Sequence, residues 1–446
     1  MNLDADGAHR VTLLADKLAD GTRVIPNIDG STWYPFSGHL VLTGEEAAPS
    51  GVTEGTVLLA TPHYPSTVTK LDTVFGIAGW EGVQADSDGN LWLVADQGGP
   101  SGTLAAAPLP GNAAVTVNLK KARQPNSFVY RFVPANKADL TQGGKLQALQ
   151  VASLQTGKPI VFTAGQPDAD ILSPDVKDLH SYGKTFKTAW VTVHDTAIDG
   201  FTVFDANAAA KAAGATPFKR PENGVFRPFL QPHKKFTEFY FTETGDTNDL
   251  SLNPSDPTLK VAVQQAYGAF GGVFKIVLPA GPSANTGFLS LVYAGDLAHG
   301  GFDNITFAGT NDLLVVEDAG DTAHTQRAAL DSGYVLDVSK NYADPANQPL
   351  RFLAEGRDAS ATLDAYTAGL NSNGDNEITG IHVSDGDPSV RGMLGAKVPT
   401  PFFHGWRIFW TQQHGDNNLW EIVSRGFPTP RHGDDDVADI GSQSHR

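Results

Sequence analysis

Acidic side chains beside predicted turns are the residues of this sequence with the clearest capacity for chemistry. Their carboxylate oxygens are hard ligands of the kind that calcium, manganese and ferric iron accept. One acidic residue at a turn is more often solvated, so several must act together to form a site. The candidates are Glu45, Glu46, Glu81, Asp86, Asp88, Asp96, Glu222, Glu243, Asp246, Asp303, Glu317, Asp318, Asp321, Asp375 and Glu377.

Three of these glutamates lie where a predicted apolar strand begins. Glu81 lies between Trp80 and a Gly-Val pair, Glu222 follows an Arg-Pro pair, and Glu377 precedes an Ile-Thr-Gly run. An unpaired carboxylate is costly at such a place, because the strand that follows is apolar. A solvated glutamate at the start of a strand is the alternative for each. Three glutamates from separate units could instead converge on one axis and bind a cation there.

Composition narrows the classes of chemistry that the chain can perform. The 446 residues include no cysteine, which excludes disulfides, zinc-thiolate sites, iron–sulfur clusters and thiol nucleophiles. A net charge of −17 with no basic stripe argues against nucleic acid as a partner. The sequence also lacks a nucleophile elbow, a phosphate-binding Gly-Lys-Ser/Thr loop and a His-Glu-x-x-His helix.

The elements that must position these carboxylates are short strands. A turn rich in Gly, Asp or Asn is followed by four to six β-formers at many places, for example 88–94, 311–316 and 417–422. Together with 47 glycines and 28 prolines, this pattern predicts an all-β fold, a β-propeller with loop and short-helix insertions. A pair of β-sandwich domains is the alternative. Helical signal is sparse, and the best example, 205–213, ends before Gly214.

We predict one propeller domain over residues 1–446, with long insertions at about 98–126 and 359–376 and a polar tail at 431–446. No apolar run approaches the ~20 residues of a membrane-spanning helix. The acidic N-terminus, Met1–Asp6, lacks the pattern of a secretory signal. We therefore expect either a cytoplasmic protein or one whose signal has been removed.

Several ordered segments resemble one family over most of the chain. The most specific is Gly214–Glu222, which reads GATPFKRPE and is very close to the family's Gly-Ala-Thr-Pro…Arg-Pro-Glu signature. The others are 42–46, 79–83, Asp96 with 128–134, 303–307, 352–357, 377–380 and 413–414. In these segments the sequence resembles the PhoX-type bacterial alkaline phosphatases.

The resemblance implies a six-bladed β-propeller with a calcium and iron cluster at one mouth of its axial channel. The implied activity is the hydrolysis of phosphate monoesters, with a small phosphorylated molecule as substrate. It also implies a periplasmic or extracellular location, and we expect a monomer. The implied metal ligands are Glu46, Glu81, Glu222, Glu377, Asp96 and Asp303, and the implied substrate-binding residues are Arg220 and Arg357.

The chain departs from the family pattern at the iron ligand. The family places a cysteine ahead of its Glu-Glu segment, whereas this region reads Asn27–Thr32 here. Calcium is therefore favoured over iron, and the ligands would all be oxygen atoms, with Asp29 or Ser31 as the substitute. Two departures affect other segments: tryptophan replaces histidine before Glu81, and about twenty residues separate Arg357 from Glu377 where the family has a few.

Three functions remain open at the level of the sequence. The first is a metal-dependent phosphatase whose nucleophile is activated by the bound cations. The second is a calcium-dependent hydrolase of another substrate, such as a lactone or phytate. The third is a non-catalytic, calcium-stabilised propeller that acts as a binding module.

Overall fold

The computed structural model describes residues 14–15, 17–21, 28–44, 55–102, 107–109, 112–117, 122–228, 235–246, 265–318, 330–355, 377–413 and 418–424. At 107–109, 112–117, Glu377 and Gln413 it describes the backbone alone. Strands dominate these residues, and each sheet is built mainly from hairpins that follow one another along the chain.

The first sheet is an antiparallel meander of four strands in sequence order. Its strands are β1 (Ile28–Tyr34), β2 (His39–Gly44), β3 (Val57–Ala60) and β4 (Val68–Lys70). A single helical turn, α1 (Asp72–Phe75), leads into the next unit. We call this meander blade 1.

Blade 2 contains five strands and a hairpin that extends from it. The strands are β5 (Trp80–Ala85), β6 (Leu91–Ala95), β9 (Val129–Pro134), β10 (Gly144–Val151) and β11 (Phe186–Asp195), and the hairpin is β7 (Ala107–Leu109) with β8 (Asn112–Val117). The hairpin lies within the predicted insertion at 98–126.

Blade 3 is a further four-stranded meander that joins blade 2 along its outer edge. Its strands are β12 (Pro221–Phe226), β13 (Glu238–Glu243), β14 (Gly272–Val277) and β15 (Thr286–Ala294). β15 pairs with β11, so blades 2 and 3 share one sheet of nine strands.

Blades 4 and 5 complete the sheets in the described part of the chain. Blade 4 contains β16 (Phe302–Phe307), β17 (Asp312–Glu317), β18 (Ser332–Asp337) and β19 (Leu350–Ala354). Blade 5 contains β20 (Glu377–Ser384), β21 (Arg407–Gln413) and β22 (Leu419–Ile422).

Helices are few and short, as predicted. They are α2 (Pro167–Ile171), α3 (Pro174–Leu179), α4 (Thr196–Asp199) and α5 (Ala206–Ala212). The predicted helix at 205–213 is confirmed: the side chain of Asp205 accepts a hydrogen bond from the Ala208 N–H at its start, and Gly214 follows its end with φ +70°. The predicted insertion at 359–376 and the tail at 431–446 lie outside the described residues.

The first strands of the five blades lie side by side around one axis, in the order β1, β5, β12, β16 and β20. This radial arrangement confirms the predicted all-β fold of the β-propeller type and differs from two stacked sandwiches. Five blades are formed by the residues that the structure describes. The predicted number of six stays a prediction.

The hydrophobic core lies between neighbouring blades, as the alternation along β17 shows. Leu313 and Val315 pack with residues of blade 3, whereas Leu314 and Val316 pack with Ile378 and other residues of blade 5. Successive side chains of a strand point to opposite faces, so one buried strand contributes to two cores. Burial of each such side chain stabilises the fold by roughly 1.5–3 kcal/mol.

Every innermost strand contains a β-bulge close to its start. The register with the neighbouring strand shifts between Ile28 and Ser31, Trp80 and Val83, Pro221 and Gly224, Phe302 and Ile305, and Ile378 and Gly380. A bulge bends the strand and redirects side chains, and such features occur often beside active sites. The repeated bulges therefore mark one level of the channel.

Small residues allow the innermost strands to approach closely at this level. A Cβ atom on Gly30 would lie 2.5 Å from the carbonyl oxygen of Glu81, and one on Gly82 would lie 2.7 Å from the Cα of Asn223. Both contacts are with backbone, which cannot rotate away as a side chain can. Gly82 is thus required by the spacing of β5 and β12.

We expect Gly82→Ala to lower the free energy of unfolding by about 1–3 kcal/mol, because the added methyl group overpacks the channel wall. Urea denaturation monitored by tryptophan fluorescence measures this effect. Gly98→Ala is the matched control, since its Cβ would meet only the flexible end of Arg123, 3.2 Å away. Equal stability of the two variants would contradict the prediction.

Candidate metal centre

Four innermost strands carry a carboxylate at their second residue. These residues are Asp29 on β1, Glu81 on β5, Glu222 on β12 and Asp303 on β16. Glu377 is the first residue of β20, and its side chain lies outside the described atoms. Since the bulges bring these strand ends to one level, acidic residues from separate blades meet in the channel.

Glu81, Asp96 and Glu222 form the tightest group, which we call the carboxylate cluster. One carboxylate oxygen from each lies within 4.8 Å of the others. Asp96 reaches the cluster because it directly follows β6, the strand that pairs with β5. Glu81 and Glu222 are each 7% exposed, so their charges lie in a largely desolvated place.

Arg220 lies against the carboxylate cluster. Its Nε donates to Asp96 Oδ2 at 2.8 Å, and its Nη2 lies 3.4 Å from Glu222 Oε1. Arg220 has φ +59°, a left-handed conformation that is uncommon for a non-glycine residue. Backbone strain of this kind persists where surrounding contacts enforce it and is common at functional sites.

Glu222 and Asp303 carry the effects of crowded negative charge. Burial raises the pKa of Glu222 well above its ordinary value, and repulsion from Asp96 adds to this rise. Burial also raises the pKa of Asp303, with further repulsion from Glu222, Asp29 and Asp318. Both carboxyl groups are therefore shifted toward the neutral, protonated form unless a nearby positive charge offsets the burial and the repulsion.

The donors at this site fit a hard cation. Among the residues that the structure describes, Asp96 Oδ1 is buried without a hydrogen-bond partner, although Asp96 Oδ2 is paired with Arg220. An orphaned carboxylate oxygen inside a protein is unusual and calls for an unseen partner. Because every donor in the carboxylate cluster is a carboxylate oxygen, the cluster suits Ca²⁺, Mg²⁺ or Mn²⁺.

Threonine hydroxyls fix the backbone of the acidic residues across blade boundaries. Thr43 Oγ1 on β2 donates to the carbonyl of Glu81, and Thr242 Oγ1 on β13 donates to the carbonyl of Asp303, both at 2.5 Å. Thr244 Oγ1 donates directly to Glu222 Oε1 at 2.6 Å. Blades 1 and 3 thereby hold the backbone of the acidic residue in the next blade, and Thr244 holds the carboxylate of Glu222.

An asparagine belt crosses the channel one residue beyond the carboxylates. Asn223 Nδ2 donates to Asn304 Oδ1, and Asn304 Nδ2 donates to the carbonyl of Thr379, both at 2.5 Å. These bonds join β12, β16 and β20. On the far side of the belt lies a cavity of about 480 Å³, whose walls include Trp33, Trp410 and His382.

Other predicted carboxylates have structural roles. Glu243 accepts hydrogen bonds from His180 Nε2 and the Lys219 N–H, and Asp246 pairs with the Lys219 ammonium. Glu317 accepts hydrogen bonds from the backbone N–H groups of Gly300 and Ser332. Asp86 is buried in a hairpin turn, where its side chain accepts hydrogen bonds from the Asp88 and Asn90 N–H groups.

The structure brings together four of the six predicted ligands. Glu81, Asp96 and Glu222 form the carboxylate cluster, Asp303 lies within electrostatic reach of Glu222, and predicted Arg220 contacts the cluster. Glu46 and Arg357 lie outside the described residues, as does the side chain of Glu377. Asp318 was among the candidate acidic residues of the sequence but not among the predicted ligands, and Thr244 was not predicted at the site. Asp29 was considered only as a substitute ligand, although its position at a strand start matches that of Glu81.

The described residues define a β-propeller-type protein with a cluster of carboxylates on its innermost strands, and comparison with known proteins defines the family. The sequence profile described as "Alkaline phosphatase PhoX" matches residues 122–390, more than half of the 446-residue chain. The protein therefore belongs to the PhoX alkaline phosphatase family, and the predicted resemblance is confirmed.

The solved structures that match the chain are distant. The α-L-arabinofuranosidase PaAbf62A from Podospora anserina, in complex with cellotriose, is 8% identical, with a TM-score of 0.36 over 92% of this chain and 93% of that one. The tricorn protease is 10% identical, with a TM-score of 0.22 over 90% of this chain and 36% of that one. No curated protein matches the sequence. No helix in the described part of the chain is long and apolar enough to cross a membrane.

Proposed function

We propose that this protein is a metal-dependent phosphatase that hydrolyses phosphate monoesters at cations bound in the propeller channel. The observation that carries the proposal is the carboxylate cluster, with its orphaned Asp96 oxygen, inside a chain that belongs to a phosphatase family. We further propose that residues 1–446 act as one propeller domain, as a monomer outside the cytoplasm.

Glu81, Asp96 and Glu222 are the residues that would hold a cation, with Asp303, Glu46 and Glu377 as further proposed ligands. When bound, the cation supplies Lewis-acid chemistry, which polarises a phosphoryl oxygen and acidifies a water molecule. Calcium fits the donors best, since they are carboxylate oxygens in the carboxylate cluster and the sequence contains no cysteine.

Arg220 is the residue that we assign to phosphate binding. Its planar guanidinium carries five N–H donors, which match phosphate oxygens in pairs. In this structure Asp96 and Glu222 hold the guanidinium at the cluster, so its charge is already in place before substrate arrives. Arg357 stays a second proposed phosphate ligand.

Burial around the cluster strengthens these interactions. Asp303 and Glu222 are each only 7% exposed, and the asparagine belt crosses the channel beneath them. Electrostatic attraction between Arg220 and a phosphate grows as water is excluded, since the effective dielectric constant falls. The chain thus supplies binding, orientation and partial exclusion of water.

The proposed activity is tested with the full chain and p-nitrophenyl phosphate. We expect phosphate release to stop after treatment with a chelator and to return when calcium, manganese or iron is added back. Lactone and phytate substrates, assayed in parallel, distinguish a phosphatase from another calcium-dependent hydrolase. No release of phosphate with these metals, singly or combined, would overturn the proposal.

A further inference from the structure

We propose that the cavity beyond the asparagine belt is a binding site for a neutral sugar, a pyranose ring with hydroxyl groups around its rim. Such a site is additional to the proposed phosphatase centre, since it lies on the far side of the belt from the carboxylate cluster and requires neither a cation nor a phosphate group. It is formed mainly by the uncovered faces of blades 1 and 5.

The innermost strand of blade 1 is uncovered where other innermost strands are buried. Every residue of β16 is buried, and so is all of β5 except Gln84. In β1, by contrast, Ser31 is exposed and Trp33 is half-buried. Within the described residues β1 packs closely against β5 but not against β20, so a space remains between blades 5 and 1. The cavity of about 480 Å³ occupies this space.

The size and position of the cavity suit a small organic ligand. Its volume falls within the range of roughly 300–1,000 Å³ that is usual for ligand sites. All five blades contribute to its wall. At the end away from the carboxylate cluster, the wall continues into Gly386 and Pro388, which follow β20 and are exposed. A ligand can therefore enter from the opposite face of the propeller without passing the carboxylate cluster.

His382 presents an open hydrogen-bonding group inside the cavity. Its side chain is exposed, although its neighbours on β20, Ile381 and Val383, are buried. The imidazole forms no hydrogen bond with another described residue. Its surface faces the cavity, but the ring lies deep among protein atoms, and this burial lowers the pKa of His382. The ring is therefore neutral near pH 7 and carries one N–H donor and one acceptor nitrogen.

Aromatic side chains face the cavity from both of its main walls. Trp33 lies on β1, and Phe409 lies on β21 directly opposite His382 in the strand register. Trp33 Nε1 donates to the carbonyl of Pro388 at 2.6 Å, which joins blade 1 to the loop after β20 and fixes the plane of the indole. The face of an aromatic ring is weakly negative, so it attracts the weakly positive C–H groups of a sugar ring.

The charge of the wall selects against an anionic ligand. The described residues of the wall include no lysine or arginine, whereas Asp29 and Asp387 belong to it. Asp387 is paired with Lys397, whose ammonium lies 3.2 Å away. A phosphate or carboxylate group in the cavity would lose its hydration and meet charge of its own sign. The cavity is thus unsuited to the phosphorylated substrate of the proposed phosphatase.

Uncharged hydrogen-bonding groups surround the cavity instead of following one edge. Side-chain hydroxyl and amide groups of blades 1, 2 and 5 contribute to the wall, namely Ser31, Thr32, Gln84, Thr379, Ser384 and Thr411. Each offers both a donor and an acceptor. A ring with hydroxyl groups directed outward on all sides can bond to such a wall, whereas a planar base bonds only at its edges. Among neutral ligands, this distribution favours a sugar.

The test is sugar binding to the full chain in the presence of a chelator, so that a bound cation cannot contribute. The probes are D-glucose, D-galactose and D-mannose, with choline and adenine as a cationic and an aromatic alternative. Saturation-transfer NMR detects binding, and tryptophan fluorescence, to which Trp33 contributes, measures affinity. We expect saturable binding of at least one of the three sugars.

Two cavity variants connect the binding to this site. His382→Ala removes the open imidazole and Phe409→Leu removes an aromatic face, and each should weaken sugar binding by about tenfold or more. His63→Ala and Phe403→Leu are the matched controls, because they remove the same groups from exposed positions outside the wall. Both controls should bind sugar as the wild type does, and Tm values confirm that each variant is folded.

Absence of saturable binding by all three sugars would overturn the inference, as would unchanged sugar binding in both cavity variants. Binding of choline or adenine in place of the sugars would refute the assignment to a sugar. If His382→Ala does not fold, Phe409→Leu decides. A protein that binds sugar at this site but releases no phosphate from p-nitrophenyl phosphate would refute the proposed function and support this inference.

Discussion

We expect Glu222→Gln to abolish the proposed high-affinity binding of metal and, with it, the proposed phosphatase activity. We expect a loss on the order of 10²-fold or more in Ca²⁺ affinity and in kcat/KM, since even residues that only support metal ligands cost about 10–100-fold when replaced. Glu222 interacts with several groups of the site. It belongs to the carboxylate cluster, accepts a hydrogen bond from Thr244, lies beside Arg220 and repels Asp303.

The substitution is isosteric, so it removes charge with little change of shape. The metal-free variant should be at least as stable as the wild type, because a buried carboxylate crowded by Asp96 is neutralised. Elemental analysis after gel filtration measures the metal content, and titration with Ca²⁺ measures the affinity. Hydrolysis of p-nitrophenyl phosphate measures the activity.

Glu238→Gln is the matched control for Glu222→Gln. Glu238 is the first residue of β13, at the end of the blade opposite the carboxylate cluster, and it pairs with Arg227 at 2.9 Å. This variant should retain its metal content and activity. Metal stoichiometry in Glu222→Gln equal to that of the control would rule out Glu222 as a ligand.

The parts of the site that sequence could predict are those that local patterns encode. Glu81 and Glu222 were predicted because a turn, an acidic residue and an apolar run follow one another within a few residues. The short helix that begins after Asp205 was predicted for the same reason, since its cap and its terminal glycine are local signals.

The remaining parts depend on contacts between distant segments. Glu243 resembled a candidate ligand in the sequence, but its partners, His180 and Lys219, are contributed by other segments of the chain. The pairing of β11 with β15 joins blades 2 and 3 into one sheet, and no local pattern specifies such an edge contact. The sequence left Asp29 and Ser31 open as the substitute ligand. The bulge that separates these two residues is a property of strand pairing, which no local pattern specifies.

Lys219→Met is expected to destabilise the fold by about 3–5 kcal/mol, the cost of leaving a buried charge without its partner. Lys219 Nζ lies 2.5 Å from Asp246 Oδ2, and both side chains are almost fully buried, with 2% and 4% exposed. In the described part of the chain, loss of the ammonium leaves the Asp246 carboxylate with one hydrogen-bond donor, the Arg123 N–H at 3.2 Å. Urea denaturation in the presence of a chelator measures the effect without a contribution from bound metal.

Two further variants separate the buried charge from loss of packing. Lys219→Met combined with Asp246→Asn should recover most of the lost stability, because neither buried charge then remains unpaired. Lys145→Met is the surface control: its ammonium lies 3.1 Å from Asp195, but the Lys145 side chain is 55% exposed, so the expected loss is below about 1 kcal/mol. Equal losses in Lys219→Met and Lys145→Met would contradict the prediction.

The same pair connects stability to the proposed chemistry, because Lys219 immediately precedes Arg220. The backbone here is held at three points: the Lys219 N–H donates to Glu243 Oε1, and the Thr244 and Gly245 N–H groups donate to the carbonyls of Arg220 and Lys219. These contacts enforce the left-handed conformation of Arg220 and so aim its guanidinium at the carboxylate cluster. Lys219→Met should therefore raise KM for p-nitrophenyl phosphate even at temperatures where the variant is fully folded, whereas Lys145→Met should not.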